Sequence, residues 1–269
     1  MSTRMRVAAI QTVSGGDVAA NLAQAAPLIA EAAARGAHLA VLPEYFGILG
    51  TRATDKLAVK EEDGAGPQQD FLARMAREHR MTVVGGSVPL SCADPARVRS
   101  ACLVYGPDGV RVARYDKMHL FRFTQGAEGY DETRTIEPGD TPVAFDAPCG
   151  RVGLSICYDV RFPELYRALG ECALVLMPAA FTATTGAAHW ELLLRARAVE
   201  NQCYVLAAAQ GGLHPNGRRT WGRSMLVDPW GDIVAAMEEG TGVVIGDIDP
   251  RRIAEVRTNL PALTHRVIA

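Results

Sequence analysis

The sequence predicts an α/β fold, either one mixed sheet or two sheets packed together, with helices outside. Three observations lead there. Apolar runs of strand length alternate with amphipathic stretches of helical period from end to end of the chain. Some neighbouring strands are joined by tight turns and others are separated by a helix, so antiparallel and parallel pairings must coexist. Finally, 48% apolar residues over 269 positions supply a large core, with no low-complexity linker, solenoid-length repeat or charge block to divide it. A single domain over residues 1–269 is the expectation.

In chain order, Val7 to Ile10 reads as a strand. Asn21 to Arg35 reads as an amphipathic helix with Leu22, Ala26, Ile29 and Ala33 on one face and Gly36 closing it. His38 to Leu42 is a strand, and Gln68 to His79 a helix with Phe71, Leu72 and Met75 inward. Strands follow at Met81 to Val88, Ala101 to Tyr105 and Val110 to Tyr115, the last two joined by Pro107-Asp108-Gly109. Pro142 to Phe145 and Arg151 to Ile156 flank another turn. A helix at Glu164 to Gly170, a strand at Ala173 to Met177 and a helix at Ala188 to Asn201 come next. The last of these carries Trp190, Leu193, Leu194 and Ala198 at one-face spacing. Cys203 to Ala209, Ser224 to Val227, Ile233 to Met237 and Val243 to Ile248 are strands, and Pro250 to Thr258 a last helix. The tail Leu260 to Arg266 has no periodicity and is expected along the surface or against a partner subunit.

Composition narrows the function. A formal net charge of −2 offers no footprint for nucleic acid or an anionic membrane. The longest apolar stretch, Ala173 to Phe181, is about half a membrane span, and no secretory leader follows the basic start. Six cysteines at irregular spacing, with no C-x-x-C pair and no Cys/His cluster, argue against structural zinc and a disulfide framework. A cytoplasmic protein handling a small molecule is expected, without metal or cofactor.

Cys157 carries the most chemistry. It ends the apolar run Val152-Gly153-Leu154-Ser155-Ile156 and precedes the polar turn Tyr158-Asp159-Val160-Arg161-Phe162-Pro163-Glu164. A buried strand thus delivers a thiol to a sheet edge, where sites in α/β folds gather. Two other strand ends offer what a nucleophilic thiol needs: Glu44 after Val41-Leu42-Pro43, and Lys117 in Tyr115-Asp116-Lys117-Met118-His119. A carboxylate following a wholly apolar stretch is desolvated, raising its pKa toward that of a base at neutral pH. A lysine nearby lowers the thiol pKa and stabilises an oxyanion. The bland alternatives are a packed core thiol, a solvated carboxylate and a surface lysine. His119, His189 and His214 raise the further possibility of a Cys-His dyad, and Gly64-Ala65-Gly66-Pro67 is too short a signal for dinucleotide binding.

Pro43-Glu44, Tyr115 to Phe121 and Ser155 to Glu164 resemble, in order, the three signature segments of the nitrilase superfamily of carbon–nitrogen hydrolases. The resemblance covers nearly the whole chain. It implies a four-layer α-β-β-α sandwich and a cofactor-free amide hydrolase with Glu44 as general base, Lys117 as oxyanion stabiliser and Cys157 as nucleophile. The backbone N–H of Tyr158 would share the oxyanion. It further implies a second glutamate that orients the lysine, for which Glu132 fits better than Glu128, and a homodimer or larger assembly. The helix after Cys157, with Leu165, Ala168 and Leu169, and the C-terminal segment would build that assembly, the alternative for the helix being that its apolar face packs inside the monomer.

Phe181 to Glu191, Arg195 to Tyr204 and Ala207-Ala208-Ala209-Gln210 resemble the Nit branch, whose main activities are deaminated glutathione amidase and omega-amidase. Ala207 to Gln210 and Asp228-Pro229-Trp230-Gly231 favour the first. Arg161 stands either as a surface partner of Asp159 or Glu164 or as a ligand of substrate. The branch implies a substrate carboxylate for it, with Phe181 and Thr185 lining the same pocket. Nitrilase, N-carbamoyl amidase and inactive scaffold are the alternatives.

Overall fold

Residues 2–126 and 128–268 are described in a computed structural model. Twelve strands form two six-stranded sheets. The first sheet contains β1 (Met5–Gln11), β2 (Leu39–Val41), β3 (Thr82–Ser91), β4 (Val98–Tyr105), β5 (Arg111–Asp116) and β14 (Gly242–Ile248), in the order β14-β1-β2-β3-β4-β5. The second contains β8 (Ala144–Ala147), β9 (Gly150–Leu154), β10 (Leu174–Ala179), β11 (Tyr204–Ala209), β12 (Met225–Val227) and β13 (Ile233–Ala236), in the order β13-β12-β11-β10-β9-β8. In each sheet three parallel strands sit at the centre, β1, β2 and β3 or β9, β10 and β11, with antiparallel strands outside them.

The period of two along β1 shows why the sheets pair. Val7 and Ala9 face the core shared with the second sheet's Leu154, Leu176 and Leu206. Ala8 and Ile10 face a second core, formed with helices α1 (Val18–Ala34) and α2 (Pro67–His79). Helices α3 (Pro163–Ala168) and α4 (Ala183–Asn201) cover the other outer face through Leu165, Trp190, Leu194 and Ala198. The result is the expected α-β-β-α sandwich. Strands covered on both faces read as unbroken apolar runs, as β10 and β11 do.

Four expectations are corrected. The α1 face is turned by one residue: Asn21, Ala25, Ile29 and Ala32 are buried, and Leu22, Ala26 and Ala33 flank them. Asn21 lies inside because its Nδ2 donates to Gly15 O and Gly47 O, each at 2.9 Å. Helix α4 begins at Ala183 because Thr182 Oγ1 caps it, accepting from Thr185 N at 3.2 Å. A polar hairpin, β6 (Arg122–Gln125) and β7 (Glu128–Asp131), was not expected, since it has no apolar alternation. Leu165 and Leu169 are spent in the core of the single chain, so only Ala168 of the anticipated interface face is exposed. The tail forms a short 3-10 turn, Ala262–His265.

One glycine holds the strand ends in register. Between Gly85 and Val88 the β3–β4 ladder shifts, and a Cβ on Gly86 would collide with the carbonyl oxygens of Leu42 and Pro43. That segment carries Glu44. Gly86→Ala should therefore lower stability by about 1–3 kcal/mol and the melting temperature by several degrees, with a larger proportional loss of activity. Calorimetry beside an amidase assay checks this; unchanged melting would show that the close approach is slack.

Candidate active site

Three strand ends converge. After β9 the chain runs through Ser155 and Ile156 into a 3-10 turn at Cys157–Arg161. Cys157 begins it at φ 51°, a left-handed conformation that non-glycine residues seldom adopt. The fully buried Asp159 holds this turn. Its Oδ2 accepts from Ile156 N at 2.8 Å and Tyr115 Oη at 2.7 Å, and its Oδ1 from His119 N at 3.0 Å, with His119 Nδ1 at 2.7 Å. Tyr115 and His119 flank Lys117, so a single carboxylate ties the thiol's turn to the lysine's strand end. Tyr158 N–H, in the first turn of this segment, has no acceptor among the described residues.

Glu44 follows β2 and is 1% exposed. Its Oε1 takes a hydrogen bond from Lys117 Nζ at 2.7 Å and its Oε2 one from Ala180 N, at the end of β10, at 3.0 Å. Lys117, wholly buried after β5, also donates to Glu132 Oε2 at 2.7 Å and Oε1 at 3.0 Å. Glu132 is fixed in turn by Tyr45 Oη at 2.6 Å and Phe121 N at 2.7 Å. Lys117 thus bridges two carboxylates from different parts of the chain. Of the two glutamates offered by the sequence, Glu132 meets the lysine. Glu128 instead accepts from Thr184 Oγ1 at the surface, at 2.8 Å.

Burial governs the protonation of this group. It pushes the Glu44 carboxyl above its ordinary range; Lys117 opposes this, and the Glu132 charge adds to it. Burial alone would depress Lys117, but the charges of Glu132 and Glu44 prevail and hold its ammonium well above the usual value. Glu132 is lowered, because Lys117 and Lys56 outweigh its desolvation. The Cys157 thiol is pushed well up by burial, a shift that Glu44 reinforces and Lys117 resists. A neutral thiol beside a carboxylate of raised basicity and a permanent cation is the resulting resting arrangement.

Glu44, Glu132, Cys157 and Ala180 open on one cavity of about 300 Å³, also lined by Tyr45, Lys56, Phe121, Tyr130 and Arg218. Phe181 and Thr185 line a smaller cleft beside Cys157, with Tyr158 and Phe121. Arg161 lines neither space directly. Its guanidinium lies over the rings of Tyr158 and Phe181, 5.7 and 5.4 Å from their centroids, and 3.3 Å from His189 Nδ1. None of the three histidines lines either space: His119 is held by Asp159, His189 by Arg161, and His214 by Ser14 O and Thr220. No group of metal-ligating side chains occurs among the described residues.

The carbon–nitrogen hydrolase family matches residues 6–258. The chain belongs to that family. The deaminated glutathione amidase of Synechocystis sp. (strain PCC 6803 / GT-S) is 42% identical over 97% of each chain. The omega-amidase of Homo sapiens is 38% identical over 98% of this chain and 95% of its own length. Among solved structures, the C. elegans NitFhit protein superposes with a TM-score of 0.90 at 37% identity, over 99% of this chain and 66% of the longer one. A mutant amidase from Nesterenkonia sp., with TM-score 0.78 and 27% identity over 95% of this chain and 96% of its own, carries the acetamide moiety of fluoroacetamide on its active-site cysteine.

In this carbon–nitrogen hydrolase, sequence reasoning missed Tyr45 and the role of Asp159. Tyr45 adjoins Glu44 but needs φ 58° to turn its hydroxyl toward Glu132, which no local pattern announces. Asp159 offers a direct test. Asp159→Asn preserves volume but sets an amide N–H₂ against donors, leaving buried groups unsatisfied. A loss of about 1–3 kcal/mol and several degrees of melting temperature is expected, with slower alkylation of Cys157. Unchanged melting and unchanged thiol reactivity would show that Asp159 is not the latch.

Proposed function

We propose that the protein is an amidase working through a Cys157 thioester, with the γ-amide of deaminated glutathione as substrate. The observation that carries the reading is the Glu44–Lys117–Glu132 bridge beside a buried thiol on one cavity wall. Glu44 takes the thiol proton as Sγ attacks the amide carbonyl carbon. The charge gathering on the carbonyl oxygen is met by Lys117 and by Tyr158 N–H, each such donor being worth about 3–4 kcal/mol. Glu44 returns the proton to the leaving nitrogen as the C–N bond breaks. It then deprotonates a water that attacks the thioester, and the thiol is restored. Glu132 keeps Lys117 charged and aimed. The cysteine adduct of the Nesterenkonia amidase supports a covalent route.

We place the acyl part beside Cys157 against Phe181, Thr185 and Tyr158. The cleft there is about 10 Å³, room for one water, so the Tyr158 and Phe181 rings must part for an α-keto acid carboxylate to reach the Arg161 fork behind them. The relatives support either of two amides: deaminated glutathione, with a dipeptide leaving group, or α-ketoglutaramate, which releases only ammonia. The space beside Cys157 favours the first, since about 300 Å³ is roughly ten times the share of one water in the liquid. We also propose self-association through the C-terminal segment, where Val267 and Ile268 are 96% and 83% exposed. Sedimentation at micromolar concentration should give a dimer or larger species; a stable monomer overturns this.

Cys157→Ala should remove turnover and leave the fold intact, and Cys157→Ser should do nearly the same, because a hydroxyl is a far weaker nucleophile at neutral pH. More than a few per cent of wild-type turnover in the alanine variant, with melting unchanged, excludes the thioester route. Because Glu44 must be ionised to act and its folded pKa is raised, activity should be lost as pH falls through that raised value. The acid limb of kcat/KM should therefore lie above the ordinary carboxylate value of about 4.3. A limb at or below that value would remove Glu44 as the base. Arg161→Lys should lower kcat/KM for keto-acid amides strongly, since a point charge cannot replace the fork; equal kinetics, or preference for simple nitriles, points to another branch.

A further inference from the structure

Four cations line the large cavity and are absent from the smaller cleft: Arg52, Lys56, Arg134 and Arg218. Two of them are already neutralised and lean into solvent. Arg52 pairs with Asp55 at 2.9 Å and Arg134 with Asp131 at 3.5 Å, their side chains 80% and 81% exposed. Lys56 and Arg218 differ. Neither has a carboxylate within ion-pair distance among the described residues, although the chain pairs many of its other arginines. Arg218 Nε is buried with no hydrogen-bond acceptor among the described residues, and an unmet buried donor costs about 1–3 kcal/mol.

Both side chains are held in place. The Arg218 guanidinium lies over the Tyr130 ring, 5.0 Å from its centroid. Its loop is pinned by Asn216, whose Nδ2 donates to Leu49 O at 3.0 Å and Gly50 O at 2.7 Å, and whose Oδ1 accepts from Arg218 N at 2.9 Å. Lys56 extends from the 3-10 turn Asp55–Val59 over the Tyr45 ring, with Thr135 Oγ1 3.4 Å from its Nζ. Burial holds its ammonium below the usual range, so the site gains most from a negative charge.

We propose that Lys56 and Arg218 form a receptor for a carboxylate on the departing amine, so that the enzyme selects amides whose amine part is an amino acid or short peptide with a free C-terminus. This rests on the amidase reading above and deepens it. The acyl carboxylate goes to the Arg161 side of Cys157, and the leaving-group carboxylate to the opposite side. A primary amide leaves the second site empty. Lys56 also acts electrostatically on Glu132, so its replacement would disturb the reaction centre as well. Arg218 is not among the leading influences on Glu44, Glu132 and Cys157 and acts on Glu132 through Lys56, which makes it the better residue to test.

The experiment compares deaminated glutathione with its C-terminal carboxamide, which share the acyl group and scissile bond. The wild-type enzyme should favour the free acid by about ten- to hundredfold in kcat/KM, mainly through KM. In Arg218→Gln that ratio should collapse toward one, and Arg218→Lys should restore part of it. Equal wild-type kinetics on the two compounds, or an unchanged ratio in a folded Arg218→Gln, overturns the proposal. If wild type cleaves neither compound, the substrate reading has failed, and the receptor is read without turnover through the rate of Cys157 alkylation by iodoacetamide. Alanylglycine should slow alkylation and alanylglycinamide should not, with the difference lost in Arg218→Gln. Equal protection by the two peptides overturns the receptor.

Discussion

A lysine with no exposed surface, held 2.7 Å from one carboxylate and 2.7 Å from another, is the interaction on which the site depends. Burying such a group costs several kcal/mol per ion unless each charge finds partners. The chain supplies them from separate elements: Ala180 N from the second sheet, and Tyr45 Oη and Phe121 N from the loops beyond β2 and β5. No local piece of structure can satisfy this cluster alone, so it exists only once both sheets have met. With a lysine between two glutamates the cluster carries net negative charge. Burial raises Glu44 and the Cys157 thiol against the pull of Lys117, while the two carboxylates keep Lys117 cationic.

The sheets are joined at the same end that carries the chemistry. Thr12, following β1, bridges Gln210, following β11, and Gln210 Nε2 also donates to Glu44 O at 3.0 Å. The carboxyl ends of β1, β2, β10 and β11 therefore share one hydrogen-bonded floor. The face-to-face packing of two sheets gives this fold a site assembled from opposed strand ends, where a single open sheet would offer only one row.

The alternation of apolar runs with helical stretches was enough to read nearly every strand and helix, because burial on both faces leaves continuous Val, Leu and Ala. What it misplaced were elements fixed by polar contacts. Asn21 turns the α1 face by a residue through two carbonyls far from it in sequence, and the β6–β7 hairpin has no apolar signature. Glu44, Lys117 and Cys157 were legible because each stands just past the end of a strand. Tyr45, Asp159, Lys56 and Arg218 were not, since their positions follow from loop conformation and from partners more than forty residues away or on another element.

Backbone strain falls on the same residues. Tyr45 and Cys157, one on each sheet, both adopt positive φ, at 58° and 51°, at a cost of order 1–3 kcal/mol each. A strained residue persists only where its surroundings over-determine it. Tyr45 N donates to Ser87 Oγ at 2.8 Å, and Ile156 N to Asp159 Oδ2 at 2.8 Å, so each reversal is held by a buried side chain of its own sheet or turn. One reversal swings the Tyr45 hydroxyl onto Glu132, and the other brings the thiol to the cavity wall beside Glu44. Relaxing the first would withdraw the Tyr45 hydroxyl from the carboxylate that holds Lys117, and relaxing the second would carry the thiol away from Glu44.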